Sequence, residues 1–373
     1  VHADDAKKFE VYGFAHFDYI QDFNRVNPDW AATLRPSRIP TADGLYGSDG
    51  QAILSARQSR LGVQANLPTD AGAVFAKFEF DLFGVGVDAG QTTIRLRHAY
   101  GEWGHVLAGQ TNSLFMDASV FPNTIDYWGP AGMVFLRNPQ LRLTTKTDSR
   151  TLAIAIEHPT NDIDAGQIRT IDPALGAALT SDTKVPDLTA QARFDMGWGH
   201  FQIAGILRKI AYETIGGANS TPKGSKVGGG VDVTSNVKVG EKDVAHLGVV
   251  AGKGIANYMN DGGTDLAPDG TIAKPVAAAV PLLGFIAYYD HYWSDRWSTS
   301  LGYSRTEVNN TDLQTADAFN IGQYASANLL YYPAKNVFLG GEMLWGRRDD
   351  NGGANGDDFR FQFSVHYGFS SLD

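Results

Sequence analysis

The sequence predicts an all-β protein, a transmembrane antiparallel barrel of about sixteen strands, and three observations carry that expectation. First, segments near ten residues long alternate apolar and polar side chains, as in Phe359, Phe361, Phe363, Val365, Tyr367 and Phe369 against Arg360, Gln362, Ser364 and His366. Side chains on a strand point alternately to opposite faces, so such a segment has one face for lipid and one for water. Second, short connections alternate with long ones: Gly101 to Gly104, Asp195 to His200 and Ser294 to Arg296 are short, whereas 21–52, 115–138, 159–185 and 255–280 are long. Third, 42 Gly and 42 aromatic residues (20 Phe, 15 Tyr, 7 Trp) occur in a chain of 373 with no Cys and no apolar run long enough for a spanning helix.

Taken in order, the predicted strands lie at 9–20, 53–67, 72–84, 91–103, 104–114, 139–147, 150–158, 186–197, 200–213, 226–239, 242–254, 281–293, 296–308, 318–332, 336–348 and 357–369. In the third, Val74, Ala76, Phe78, Phe80 and Leu82 oppose Phe75, Lys77, Glu79 and Asp81. In the seventh, Leu152, Ile154 and Ile156 oppose Thr151, Ala153, Ala155 and Glu157. The eighth sets Leu188, Ala190, Ala192, Phe194 and Met196 against Thr189, Gln191, Arg193 and Asp195, then turns at Gly197-Trp198-Gly199-His200. In the fifteenth, Val337, Leu339, Gly341, Met343 and Trp345 oppose Gly340, Glu342 and Arg348. Tyr288-Tyr289, Tyr292-Trp293, Trp297 and Tyr331-Tyr332 cluster at strand ends, where amphipathic rings suit a membrane interface. An even strand count brings both ends of the barrel to one side. The expected layout is a short leader remnant or periplasmic segment at 1–8, one barrel domain at 9–369 and a tail at 370–373.

Composition narrows function. Without Cys there is no disulfide framework, thiolate metal site or Cys nucleophile, and the nine His lack ligand spacing, so no metal or other cofactor is expected. A net charge of -10 with no basic run excludes a nucleic-acid partner. Gly228-Gly229-Gly230 lacks the Lys-Ser/Thr of a phosphate loop and suits close strand or subunit packing, and no Ser sits in a nucleophile elbow, so the chain is not expected to be an enzyme. Val1-His2-Ala3 fits the end of a cleaved secretory signal.

If apolar faces meet lipid, the opposite faces line a lumen. Arg60, Arg95, Arg97, Arg142, Lys146, Arg193 and Arg360 fall on those faces, several in the first half of the barrel, and could form a positive stripe that attracts anions. The alternative is that each Arg is paired with a lumen carboxylate. The segment from Phe115 to Pro130 is too apolar for an exposed loop and leaves the fifth strand; folded inward it would narrow the pore, with Asp117 and Asp126 facing the stripe and Tyr127 and Trp128 on the wall. The alternative is packing at the rim or at a subunit interface.

Five stretches, Phe17-Asp18-Tyr19-Ile20-Gln21-Asp22-Phe23-Asn24, Asp29-Trp30 through Leu34-Arg35-Pro36-Ser37, Gln58-Ser59-Arg60-Leu61-Gly62, Arg95-Leu96-Arg97-His98-Ala99-Tyr100-Gly101 and Leu136-Arg137-Asn138-Pro139-Gln140-Leu141-Arg142, together resemble the DcaP-like porins of Gram-negative bacteria. The likeness is strongest over roughly the first 150 residues. It implies a homotrimer of sixteen-stranded barrels in the outer membrane, among lipid and lipopolysaccharide, with a positive channel for small anions such as dicarboxylates, aromatic ones included. It places Arg60, Arg97, Arg137 and Arg142 in family-like motifs, and Arg137 is counted with Asp117, Asp126, Tyr127 and Trp128 as a constriction-loop residue. Two features depart from the pattern: few residues precede the first predicted strand, and Ser370-Ser371-Leu372-Asp373 follow the last aromatic. The competing readings are a nonselective or neutral-solute porin, an outer-membrane hydrolase and a soluble carbohydrate-binding β protein.

Overall fold

The computed structural model describes residues 7–372; the expected signal-peptide junction at Val1-His2-Ala3 and the end of the predicted tail, Asp373, lie outside them. Sixteen antiparallel strands close into one barrel. They are β1 (Lys8–Asp22), β2 (Gln51–Ser55 and Arg60–Leu67), β3 (Val74–Phe83), β4 (Thr92–Trp103), β5 (Val106–Asn112), β6 (Arg137–Lys146), β7 (Arg150–Glu157) and β8 (Asp187–Met196). The second half comprises β9 (Gly199–Thr214), β10 (Gly224–Val239), β11 (Asp243–Lys253), β12 (Pro281–Ser294), β13 (Trp297–Val308), β14 (Phe319–Ala334), β15 (Val337–Asp350) and β16 (Asn355–Ser370). Each pairs with its sequence neighbours, and β1 closes the ring against β16 with Phe14 opposite Gly368 and Asp22 opposite Arg360. Closure leaves no open sheet edge, a requirement for a strand-built body in lipid.

The alternation reads directly as burial. Along β16, Phe359, Tyr367 and Phe369 are exposed on the outer face while Arg360, Gln362 and Ser364 are fully buried inside. The same inversion holds for Leu152, Ile154 and Ile156 outside against Ala155 and Glu157 inside. Connections of two to six residues (68–73, 104–105, 147–149, 197–198, 240–242, 295–296 and 335–336) define one end, with exposed Trp103, Trp198, Trp293 and Trp297 beside its turns. The opposite end carries the long segments 23–50, 113–136, 158–186 and 254–280.

Three elements differ from expectation. The predicted strand 53–67 breaks between Ser55 and Arg60, where Ser59 N donates to Ala56 O and the turn sends Arg57 and Gln58 inward; β1 runs past the gap, Asp18 facing Ser55 and Phe14 facing Arg60. The loop at 255–280 contains a hairpin, Leu266–Thr271 with Lys274–Ala279, whose buried Leu266 bridges Ile163. The last strand runs to Ser370, and Ser371 continues the contact with β1 by donating its N–H to Val11 O.

The interior is not uniformly polar. Inward Ala204, Ile206, Val250 and Leu282 pack against Phe115, Met116 and Val134, and inward Ile286, Tyr288, Tyr324 and Leu344 pack against Leu34, Ile39, Val120 and Met133. Segments 23–50 and 113–136 therefore lie within the barrel against the wall formed by β9 to β15. Gly132 makes the approach close: a Cβ there would stand 2.2 Å from Arg305 O and 2.4 Å from Phe285 O, and one on the facing Gly284 would stand 2.6 Å from Gly132 O.

Candidate functional site

Opposite that wall, β2 to β6 carry the charge. Asp81 and Glu79 alternate on the inner face of β3, and each holds arginines from neighbouring strands. Arg95 binds Asp81 through two hydrogen bonds, Nε at 3.1 Å and NH2 at 2.7 Å. Arg97 bridges the acids, donating to Glu79 at 2.7 Å and to Asp81 at 3.0 Å. Arg60 lies 3.6 Å from Glu79 with its guanidinium over the Phe14 ring. Arg57, at the break in β2, donates to Gly84 O and stacks 4.0 Å from the Phe83 ring centroid. Such forked, charge-assisted pairs fix the side chains without discharging the patch, since more guanidinium groups than carboxylates gather there.

Arg137, the first residue of β6, differs from these. Its guanidinium lies 4.6 Å from the Phe135 ring centroid and makes no side-chain hydrogen bond or ion pair among the described residues; its Nε is buried without a partner, as are those of Arg57 and Arg60. The like charges of Arg97, Arg95 and Arg60 surround it. It stands where two cavities meet. One, of about 400 Å³, is lined by Phe14, His16, Arg60, Arg97, His98 and His366. The other, of about 670 Å³ toward the long loops, is lined by Arg35, Arg38, Arg95, Asp162, Asp261 and Arg348. Trp128, Phe135, Arg137 and Asn260 line both.

The 113–136 segment supplies the facing surface. Asp117 accepts from His200 at 2.6 Å and Thr234 Oγ1 at 2.7 Å, inward residues of β9 and β10. Ile125 and Asp126 donate their N–H groups to Glu342 on β15, each at 3.0 Å. Asp126 in turn accepts from Thr33 Oγ1 at 2.7 Å and Tyr324 OH at 3.0 Å. From these anchors the segment reaches across to the arginines: Tyr127 OH accepts from Arg97 at 3.1 Å and donates to Asp81, and its ring stacks on Phe83 at 4.0 Å. Trp128 Nε1–H donates to Asn260 O, and its ring meets Trp30 edge to face at 4.9 Å, with the Arg35 guanidinium 4.2 Å from the Trp30 centroid and 4.6 Å from that of Trp128.

The predicted site residues therefore divide. Arg60, Arg95, Arg97 and Arg137 share one wall, with Tyr127 and Trp128 against it. Arg142, half-buried, donates to Gln140 Oε1 and Asn112 O, and Lys146 is exposed beside the 147–149 turn. Arg193 belongs to the other side of the lumen, where it binds Asp195 and Ser119 and lies 3.4 Å from Asp117. One expectation is corrected. Arg360 does not line the channel: it is fully buried between Asp22 and Asp358 and donates to Ala31 O, because its inward position is roofed by the 23–50 segment. Asp117 meets one predicted stripe residue, Arg193, at 3.4 Å and is otherwise held by His200 and Thr234, and Asp126, held by Thr33 and Tyr324, borders the cavity that Arg60, Arg97 and Arg137 line; the carboxylates interleaved with those three arginines are Glu79 and Asp81. Those two were visible on the polar phase of their strand but were not singled out. Arg57 and Gln58 were missed because the break in β2 hides their inward turn; the polar run Arg57-Gln58-Ser59-Arg60, which interrupts the alternation, is the signal that could have revealed it.

A sequence model of the family described as DcaP outer membrane protein matches residues 1–196. No curated protein sequence matches the chain. Among solved structures, the outer membrane channel DcaP of Acinetobacter baumannii is similar at 22% identity and TM-score 0.82, with 99% of each chain covered. An anion-selective porin from Comamonas acidovorans is similar at 11% identity and TM-score 0.61, covering 98% of this chain and 100% of that one. The trimer form of OmpT from Vibrio cholerae is similar at 12% identity and TM-score 0.54, again over 98% of this chain and 100% of that one. These likenesses extend over the whole barrel.

Proposed function

The chain belongs to the DcaP outer membrane protein family, and from that premise we propose that it is a passive channel preferring small anions, dicarboxylates with an aromatic or aliphatic body among them. The observation that carries the reading is Arg137: an unpartnered guanidinium at the junction of two cavities, among arginines already held in place. A solute carboxylate arriving there satisfies a donor that the protein leaves open, which offsets the cost of stripping its water. Phe14, Phe121, Phe135 and Tyr127 around the same cavity offer ring faces to an aromatic solute. The 113–136 segment is the constriction, and its aromatic tip sets the size limit. No step requires tight binding, and tight binding would slow exit.

Trimerisation in lipid and lipopolysaccharide belongs to the same proposal, supported by the family and by the trimer form of a similar fold. Export by a cleaved signal peptide completes it. A nonselective or neutral-solute channel is the competing reading, favoured by one observation: Arg95 and Arg97 are fully engaged by Asp81 and Glu79. The reversal potential of the purified protein in a planar bilayer under a salt gradient separates the two. An anion-favouring potential that Arg137→Ser moves toward zero supports the proposal; a cation-favouring or near-zero potential in the parent channel favours the competitor.

A further inference from the structure

The basic residues on the outer face of the barrel, toward the end that carries the long segments, are not alike. Arg305 on β13 is held by Glu307 at 2.9 Å, and Arg347 on β15 by Asp349 at 3.0 Å and Asp357 at 3.1 Å. Lys209 on β9 and Lys253, the last residue of β11, are exposed and make no ion pair or side-chain hydrogen bond among the described residues. Both are on the outward phase, in line with the exposed Ile203 and Leu207 on one strand and Leu247 and Val249 on the other. Glu213, farther out on the same phase of β9, lies 3.9 Å from Lys184 instead. The two free lysines are also neighbours. Lys253 is opposite Gly229 on β10, Gly229 is opposite Leu207, and Lys209 is opposite Val227. With strands about 4.8 Å apart and about 3.4 Å per residue along each, the two lysine Cα atoms stand about 12 Å apart. Gly229 puts no side chain between them.

We propose that Lys209 and Lys253 form a site on the lipid-facing wall for a bisphosphorylated glycolipid of the outer leaflet, the lipid A part of lipopolysaccharide. Their height fits. Each stands about ten residues from the short-turn end of its strand, which is the length of strand that crosses the hydrocarbon layer. A charge on the lipid face is costly at the middle of that layer and tolerated at its margin, where a lysine stem lies on apolar surface and the ammonium group reaches the headgroups. Their charge fits as well, because two ammonium groups without carboxylate partners attract anionic headgroups. The spacing selects among those headgroups. A lipid with one phosphate meets one lysine, whereas a disaccharide with a phosphate at each end can meet both and lay its acyl chains along the exposed Leu207, Val231 and Val249. The inference rests on the outer-membrane placement and not on the anion preference of the lumen, since both side chains point away from the lumen.

Native mass spectrometry of the detergent-solubilised full chain, titrated with bisphosphorylated lipid A, tests the site. Lys209→Ser and Lys253→Ser should each weaken binding about five-fold, and the double variant about 25-fold. Arg347→Ser, which removes a guanidinium already held by carboxylates, should leave binding unchanged. Lipid A lacking one phosphate should bind the parent about as weakly as the intact lipid binds either single variant. Heat-modifiable mobility checks that the double variant is folded, and its reversal potential should equal the parent's whatever the sign, so that failure of the lipid site and failure of the anion reading are told apart. Equal lipid A binding by the parent and the folded double variant, or phosphatidylglycerol binding as tightly as lipid A, overturns the proposal.

Discussion

The two walls of the lumen solve opposite problems. On β9 to β15 the inner face carries Ile206, Val250, Leu282, Ile286 and Leu344, and two long segments cover it, so apolar surface meets apolar surface and backbone N–H groups find Glu342 and Ser304. On β2 to β6 the inner face carries Arg60, Arg95, Arg97 and Arg137 around Glu79 and Asp81, and it stays open to the cavities. One wall behaves like the core of a soluble protein and holds a plug; the other behaves like an interface awaiting a partner. The difference shows that a lumen is not one environment. Which inner charges reach the cavities depends on where a segment lands: Arg137, at the start of its strand, lines both cavities, whereas Arg360, on the inward phase of β16, is roofed by the 23–50 segment.

The strongest way to break the comparison is to remove charge from the open wall. Arg137→Ser should lower the anion-to-cation permeability ratio about five-fold, equivalent to about 1 kcal/mol for a charge acting across a partly solvated gap. The triple change Arg60→Ser, Arg97→Ser and Arg142→Ser should lower it further still and is the largest effect expected, because it removes three positive charges and leaves Glu79 and Asp81 short of partners. An unchanged ratio in both proteins would remove the arginine wall from the mechanism. On the covered wall, Arg360→Gln should leave the ratio unchanged but weaken heat resistance of the folded barrel by several kcal/mol, since it strands Asp22 and Asp358 without their shared partner.

The next test acts on the covering segment. Gly132→Ala places a Cβ within 2.2 to 2.4 Å of carbonyl oxygens of β12 and β13, which the segment can relieve only by lifting from the wall. The expected cost is about 1 to 3 kcal/mol, read as a larger and noisier single-channel conductance and as new protease cleavage between residues 113 and 136, with a smaller change in ion preference than Arg137→Ser gives. A conductance identical to the parent's would mean that this segment does not set the pore width.

Legibility in the sequence follows the same division. Strand alternation was readable because lipid imposes an apolar outer face on every strand, and the inversion at Phe359 to Phe369 needs no tertiary knowledge. The arginine wall was partly readable for the same reason: Arg60 on β2 and Arg95 and Arg97 on β4 sit on the polar phase of the two strands that flank β3. Which inner residues are covered was not readable by phase, because it depends on where a loop lands. The signal existed, though, in strands apolar on both faces: Leu282-Leu283 and Ile286-Ala287-Tyr288 on β12, and Leu329-Leu330 on β14, mark the wall that receives the segments. The set of partners that Asp117 and Asp126 take depends on the same thing. Charge alone pairs a carboxylate on an in-folded loop with arginines, and Asp117 does meet Arg193, but its shorter hydrogen bonds, from His200 and Thr234, and that of Asp126 from Tyr324 come from the wall on which the loop rests.

Asp117 supplies the smallest and most discriminating test. Burial alone would raise its carboxyl, but hydrogen bonds from His200, Ser119 and Thr234 outweigh that and hold it at about 2. A folded-state value below the ordinary 3.8 means that the ionised form stabilises the anchored segment; the contribution is complete above pH 4 and is lost as pH falls toward 2. Acidification from pH 7 to pH 4.5 should therefore leave single-channel conductance and loop protection unchanged so far as this anchor is concerned, and loosening should begin only below about pH 3. Asp117→Asn should weaken the anchor by about 1 to 3 kcal/mol at every pH, because the amide cannot accept from all three donors, and it should abolish the acid-dependent part of the loosening. Parent and variant that loosen together on the same acid limb would place the pH-sensitive contact elsewhere, and would show that the covered wall is held by its apolar packing rather than by this carboxylate.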